Sequence, residues 1–132
     1  MSTCAELRTS AAANSTWVAV IDDDHSIRRA LGRMLRLDDL RVECFESVEE
    51  YLDRARHDPP FCLVLDVHVG AYTLQELTAL LASAGPMPPT IFMTGDADVH
   101  DEHCTTAADP FLLKPFDPDR LLGLVHGYAA AA

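Results

Sequence analysis

The sequence predicts a doubly wound α/β fold: one domain with a five-stranded parallel sheet and helices on both faces. Three observations predict it. Short apolar runs recur along the chain, and several close on a polar or acidic residue, as in "VAVIDDD", "LVLD" and "IFMTG". Between them lie segments whose apolar residues repeat at helical spacing. Strand and helix therefore alternate, and parallel neighbours need crossover connections that helices supply. At 132 residues the chain can bury one core but not two.

Residues 1–16, rich in Ser, Thr and Ala without useful periodicity, read as a flexible leader before a domain over 17–128. "WVAVI" (17–21) is β-branched and apolar throughout, which suits a strand buried on both faces. Ile27, Ala30, Leu31, Met34 and Leu35 then recur at helical spacing, with Arg28, Arg29, Arg33 and Arg36 as a solvated face. "RVECF" (41–45) alternates like a strand, and Ser47 with Glu50 three residues on is a capping-box signature for the second helix. "DPP" (58–60) breaks that helix before the apolar run "FCLVLD" (61–66). Leu74, Leu77, Leu80 and Leu81 form the stripe of a third helix, ended by "AGPMPP". "TIFMTG" (90–95) is the fourth strand, and "DADVHDEHCTTAA" a polar segment holding a short fourth helix. "PFLLKPF" is the fifth strand, carrying Lys114; Asp117 and Pro118 are N-cap and N1 of a last helix with Leu121, Leu122, Val125 and Tyr128. Residues 129–132 read as a short tail.

Asp and Glu outnumber Lys and Arg by 21 to 10, a net charge of -11 that disfavours nucleic-acid binding by this chain. No run reaches the roughly 20 apolar residues a membrane span requires, and the start lacks a signal peptide's basic and apolar regions. A cytoplasmic location is the resulting expectation. Cys4, Cys44, Cys62 and Cys104 form no CxxC pair and are expected as reduced thiols.

In open parallel sheets, ligands bind beyond the carboxyl ends of the strands. Asp22, Asp23 and Asp24 fall there after the first strand, Asp66 after the third, Thr94 after the fourth and Lys114 near the end of the fifth. Adjacent carboxylates repel, and a hard cation such as Mg2+ relieves that repulsion through oxygen ligands. An ammonium and a hydroxyl at neighbouring strand ends can hold the oxygens of a phosphoryl group, and a carboxylate can be its nucleophilic acceptor.

With "VAVIDDD", "LVLDVHV", "IFMTGDADV" and "FLLKPF" in this order, the chain resembles the receiver domain of two-component response regulators over about residues 17–128. The resemblance implies a flavodoxin-like fold, with Asp66 as phosphoacceptor and Asp22 and Asp23 as the acidic pair that binds Mg2+, for which Mn2+ is a substitute. It implies that the backbone carbonyl of His68 joins Asp22, Asp23 and Asp66 as a metal ligand. Thr94 matches the switch hydroxyl, Lys114 the phosphoryl-binding lysine, Phe111 the aromatic switch, and Lys114-Pro115 a cis bond. The implied donor is a sensor histidine kinase or a phosphotransfer protein. The implied output is a conformational shift of the face made by the fourth helix, fifth strand and fifth helix, to a homodimer or output domain. His68 and Asp96 flank the path by which water would attack the acyl phosphate. The chain departs from the family at Gly70 and Leu74, where proline and glycine are usual, and in a shorter stretch between Thr94 and Lys114.

Asp24 reads as a helix cap, and "HDEHC" (His100, His103, Cys104) as a polar helix face in preference to a transition-metal site. The domain is expected not to be a multiple-turnover enzyme. The alternative is a receiver-like interaction module that is not productively phosphorylated. A hydrolase of the haloacid-dehalogenase type is disfavoured because His68 stands where that family has a second acid. No output domain follows within the 132 residues, so either the receiver stands alone or its output domain lies outside this chain.

Overall fold

The computed structural model describes residues 16–103 and 109–131. It contains β1 (Trp17–Ile21), α1 (His25–Leu37), β2 (Arg41–Phe45), α2 (Val48–Ala55), β3 (Cys62–Asp66), α3 (Leu74–Ala82), β4 (Thr90–Thr94), α4 (Ala97–His103), β5 (Phe111–Leu113) and α5 (Pro118–Ala131). The five strands form one parallel sheet in the order β2-β1-β3-β4-β5. The connection from β1 runs outward to β2, and the next crosses back over β1 to β3. The chain therefore reverses direction between β1 and β3, the place where such sheets open a crevice.

Register decides what meets in that crevice. Ile21 pairs with Phe45 and Leu65, Asp66 with Met93, and Thr94 with Leu113. The strands thus end nearly level, and Asp22, Asp66, Thr94 and Lys114 emerge in a row at one edge.

Alternation along each strand divides the core into two layers. Trp17, Ala19 and Ile21 of β1 point to one face with Leu63, Leu65, Phe92 and Phe111, covered by Tyr51 and Leu52 of α2 and Leu77 and Leu81 of α3. Val18, Val20, Val64, Ile91 and Met93 point to the other, covered by Leu31 and Leu35 of α1 and Leu121 and Val125 of α5. All five residues of β1, β3 and β4 are buried, so these strands read as continuous apolar runs. Trp17 lies fully buried at the start of β1 with the Arg54 guanidinium 4.5 Å above its ring. Arg54 also donates to both Glu43 carboxylate oxygens, at 2.9 and 2.8 Å.

Local chemistry sets the helix ends. Asp24 caps α1, its carboxylate accepting the N–H groups of Ser26 and Ile27. Ser47 accepts the Glu50 N–H at the start of α2, but the Glu50 carboxylate reaches back to the Glu46 N–H instead of closing the box on Ser47. The full capping box is at α3, where Thr73 and Glu76 each accept the other's backbone N–H. Asp117 accepts the Asp119 N–H at the start of α5. That helix continues to Ala131 through alanines read from sequence as a tail, because alanine is the strongest helix former.

Other sequence expectations shift. Phe61 precedes β3, although its N–H still donates to the Trp17 carbonyl at 2.9 Å. Arg28 is no solvated residue: its side chain is 16% exposed and donates to the Asp22 carbonyl at 2.8 Å. The leader through residue 15, residues 104–108 of the polar segment, and Cys4 and Cys104 lie outside the described residues. Cys44 and Cys62 are free thiols, half-buried and buried. No helix among the described residues is long and apolar enough to cross a membrane.

Candidate functional site

The first strand leaves the core on three acids whose roles diverge with their exposure. Asp22 continues the line of β1 and is 1% exposed, its own N–H still donating to the Phe45 carbonyl. Its Oδ1 accepts the Asp24 N–H at 2.9 Å, which turns the chain outward and leaves Asp23 exposed. Asp24 then spends its carboxylate on capping α1.

Asp66 ends β3 and is 6% exposed, its Oδ1 accepting the His68 N–H at 3.0 Å. One carboxylate oxygen from each of Asp22, Asp23 and Asp66 lies within 4.8 Å of the others. Among the described residues no other three His, Cys, Asp or Glu side chains gather in this way, so His100 and His103 join no such group. Three hard oxygen donors open to solvent on the Asp23 side fit a Mg2+ ion that keeps part of its water shell.

Lys114 answers the acids from across the sheet. Its N–H donates to the Thr94 carbonyl at 2.7 Å, which fixes the backbone just past β5. From there Nζ donates to Asp22 Oδ2 at 2.9 Å and lies 3.4 Å from Asp66 Oδ2. Burial pushes the Asp22 carboxyl up; the Lys114 and Asp24 hydrogen bonds pull against this, the Asp66 charge adds to it, and the net displacement is upward. Burial opposes the Lys114 ammonium, yet the Asp22 hydrogen bond and the Asp66 and Asp22 charges outweigh it and raise its pKa. The bond from Lys114 to Pro115 is cis.

Thr94 is fully buried, and its Oγ1 accepts the Asp96 N–H at 3.0 Å. The same oxygen lies 3.0 Å from Nε2 of His68. This side-chain contact escapes sequence reasoning, which assigns His68 only a backbone role and a place beside the path of water. The available signal is the position itself: His68 follows Asp66 by two residues, just beyond the strand that neighbours Thr94.

Phe111 does not join the cluster. It is buried in the core, stacked on Phe92 at 4.6 Å and on His103 at 5.0 Å between ring centres. The β3–α3 loop flanks the acids on the other side. Gly70 has φ of +66°, a left-handed conformation closed to proline, and the Tyr72 ring lies 3.3 Å from where a Cβ would stand. The Tyr72 hydroxyl donates to Glu49 in the first turn of α2, tying loop to helix. Leu74, where the related pattern has glycine, opens α3 and packs on the core beneath it. Beside Lys114 runs an apolar groove of about 440 Å³, lined by Ile27, Ala30, Met34, Pro115 and Phe116 among others.

The family model of the response regulator receiver domain matches residues 18–126. The chain is 31% identical over 111 residues to the response regulator protein TmoT of Ectopseudomonas mendocina, covering 83% of this chain and 50% of that protein. It is 33% identical over 119 residues to the transcriptional regulatory protein TdiR of Thauera aromatica, covering 89% of this chain and 52% of that protein. It thus spans about half the length of these curated relatives. Among solved structures it resembles a response regulator receiver protein from Burkholderia phymatum, with a TM-score of 0.71 and 31% identity over 88% of this chain and 96% of that one.

Proposed function

The chain belongs to the response regulator receiver domain family, and from that membership we propose that it is the phosphoacceptor of a two-component pathway, modified on Asp66. The observation that carries this reading is the convergence of the Asp22, Asp23 and Asp66 carboxylates with the Lys114 ammonium at one sheet edge. Receiver domains are signalling domains and not multiple-turnover enzymes.

In the proposed reaction, set in the cytoplasm, an Asp66 carboxylate oxygen attacks the phosphorus of a phosphohistidine on a sensor histidine kinase or phosphotransfer protein. The phosphorus–nitrogen bond breaks, and the imidazole leaves with a proton from solvent. Asp66 is 6% exposed, with Oδ1 held by the His68 N–H and Oδ2 beside the Lys114 ammonium, which leaves the carboxylate little freedom to turn and so favours a fixed line of attack. Lys114, held by its backbone bond to Thr94, exchanges its contact with Asp66 for one with the arriving phosphoryl oxygens. Asp22, Asp23, Asp66 and the His68 carbonyl would hold Mg2+, with Mn2+ as a substitute; bound there, the ion neutralises charge on those oxygens. The Thr94 hydroxyl turns to the new phosphoryl group, Phe111 repacks, and the α4-β5-α5 face carries the change to a second copy or an output domain.

The test is incubation with phosphoramidate and Mg2+ followed by intact-protein mass spectrometry. The expected result is a gain of one phosphoryl group in wild type and none in Asp66→Asn. An unmodified wild type that still binds its partner would favour a constitutive interaction module.

A further inference from the structure

The contact between His68 and Thr94 links the two residues that phosphorylation would rearrange. The His68 N–H donates to Asp66 Oδ1 at 3.0 Å, while its ring Nε2 lies 3.0 Å from Thr94 Oγ1. A hydroxyl offers one proton and two acceptor sites. The Asp96 N–H occupies one acceptor site, so the ring takes a second valence of that oxygen. In one tautomer Nε2–H donates to Oγ1; in the other Oγ1–H donates to the bare Nε2. Either way the hydroxyl is held between β4 and the β3–α3 loop, by the side chain of a residue that is exposed as a whole.

We propose that His68 is a positioning residue, a latch whose imidazole holds the Thr94 hydroxyl in the unphosphorylated arrangement and thereby opposes activation. The proposal rests on the reading of Asp66 as phosphoacceptor and Thr94 as the hydroxyl that follows the phosphoryl group. When Thr94 Oγ1 turns to a phosphoryl oxygen, it leaves Nε2. His68 is at the surface and replaces the lost partner with water, so the bond stabilises only the inactive arrangement. Removing it shifts the equilibrium toward the active one without touching the acids or Lys114. One ordinary hydrogen bond sets the scale, about fivefold in an equilibrium constant.

The experiment measures affinity for beryllofluoride, a phosphoryl mimic, by calorimetry at saturating Mg2+. It compares wild type, His68→Phe, His68→Gln, Thr94→Val and the His68→Phe/Thr94→Val double variant. His68→Phe keeps a ring but no hydrogen bond and is expected to bind about fivefold tighter than wild type. His68→Gln keeps a donor and is expected to restore the wild-type affinity. In the Thr94→Val background, His68→Phe is expected to change nothing, because the latch has lost its other half. Equal or weaker binding by His68→Phe overturns the latch while leaving Asp66 as acceptor. A gain that persists in the Thr94→Val background overturns it too, since His68 would then act through bulk. A wild type that binds no beryllofluoride overturns the reading of Asp66 and this proposal together.

Discussion

At the scale of single residues, the acids at the end of β1 are separated by a few ångströms into different tasks. Asp22 is buried against Lys114, Asp23 faces solvent, and Asp24 caps a helix. Asp23→Ala therefore removes one of three mutually repelling carboxylates without opening the core. Its thermal midpoint without metal is expected to match or exceed that of wild type, and its response to Mg2+ to vanish. Wild type, by contrast, should gain about 2.7 kcal/mol at a Mg2+ concentration 100 times its Kd. A thermal-shift titration checks both; an unchanged Mg2+ response in the variant would remove Asp23 from the metal site. Cys62 gives a pH dependence of the opposite chemical kind. Burial, with a smaller contribution from Asp109, pushes its thiol from an ordinary 9.0 to about 12. The unfolded chain loses that proton near pH 9 and the folded one keeps it. Stability is therefore full below pH 9 and falls toward pH 12 by about 1.4 kcal/mol per pH unit. Urea titrations from pH 8 to 10.5 are expected to show this fall and a shallower one in Cys62→Ala.

At the scale of elements, the helices are unequally anchored, and this decides both legibility and motion. α1 buries Leu31 and Leu35 and α5 buries Leu121 and Val125, whereas α4 buries no residue at all. Its attachments include Val99, packed on the core, and the His103 ring on Phe111. Amides of α4 are expected to exchange with deuterium faster than those of α1 and α5, and His103→Ala to hasten α4 further while leaving α1 unchanged. Slow exchange in α4 would show that this account of its anchoring is incomplete. The same inequality explains what could be read from the chain. β1, β3 and β4 are buried on both faces, so their apolar runs announce them, and the parallel topology brings Asp22, Asp66, Thr94 and Lys114 to one edge. α4 has too few apolar positions to show a stripe. The His68–Thr94, His103–Phe111 and Arg28–Asp22 contacts join residues whose meeting depends on rotamers and loop paths, which periodicity does not encode.

At the scale of the whole molecule, the level strand ends place the chemistry at one pole of the sheet. The opposite pole holds Trp17, the single tryptophan, at the first position of β1. Five residue steps along β1 separate it from Asp22, a span of roughly 16 Å. Its ring is fully buried, its Nε1–H has no hydrogen-bond partner among the described residues, and a guanidinium sits on its face. The optical consequence is a division of labour. Tryptophan emission will register global unfolding, through loss of the Arg54 stack and entry of water, and stay silent while Mg2+ or a phosphoryl group arrives at the far pole. An emission change on adding Mg2+ to the folded protein would mean that the two poles communicate through β1. Used as it stands, the domain is expected to report through this one fluorophore how many molecules are folded, whatever occupies the acidic site.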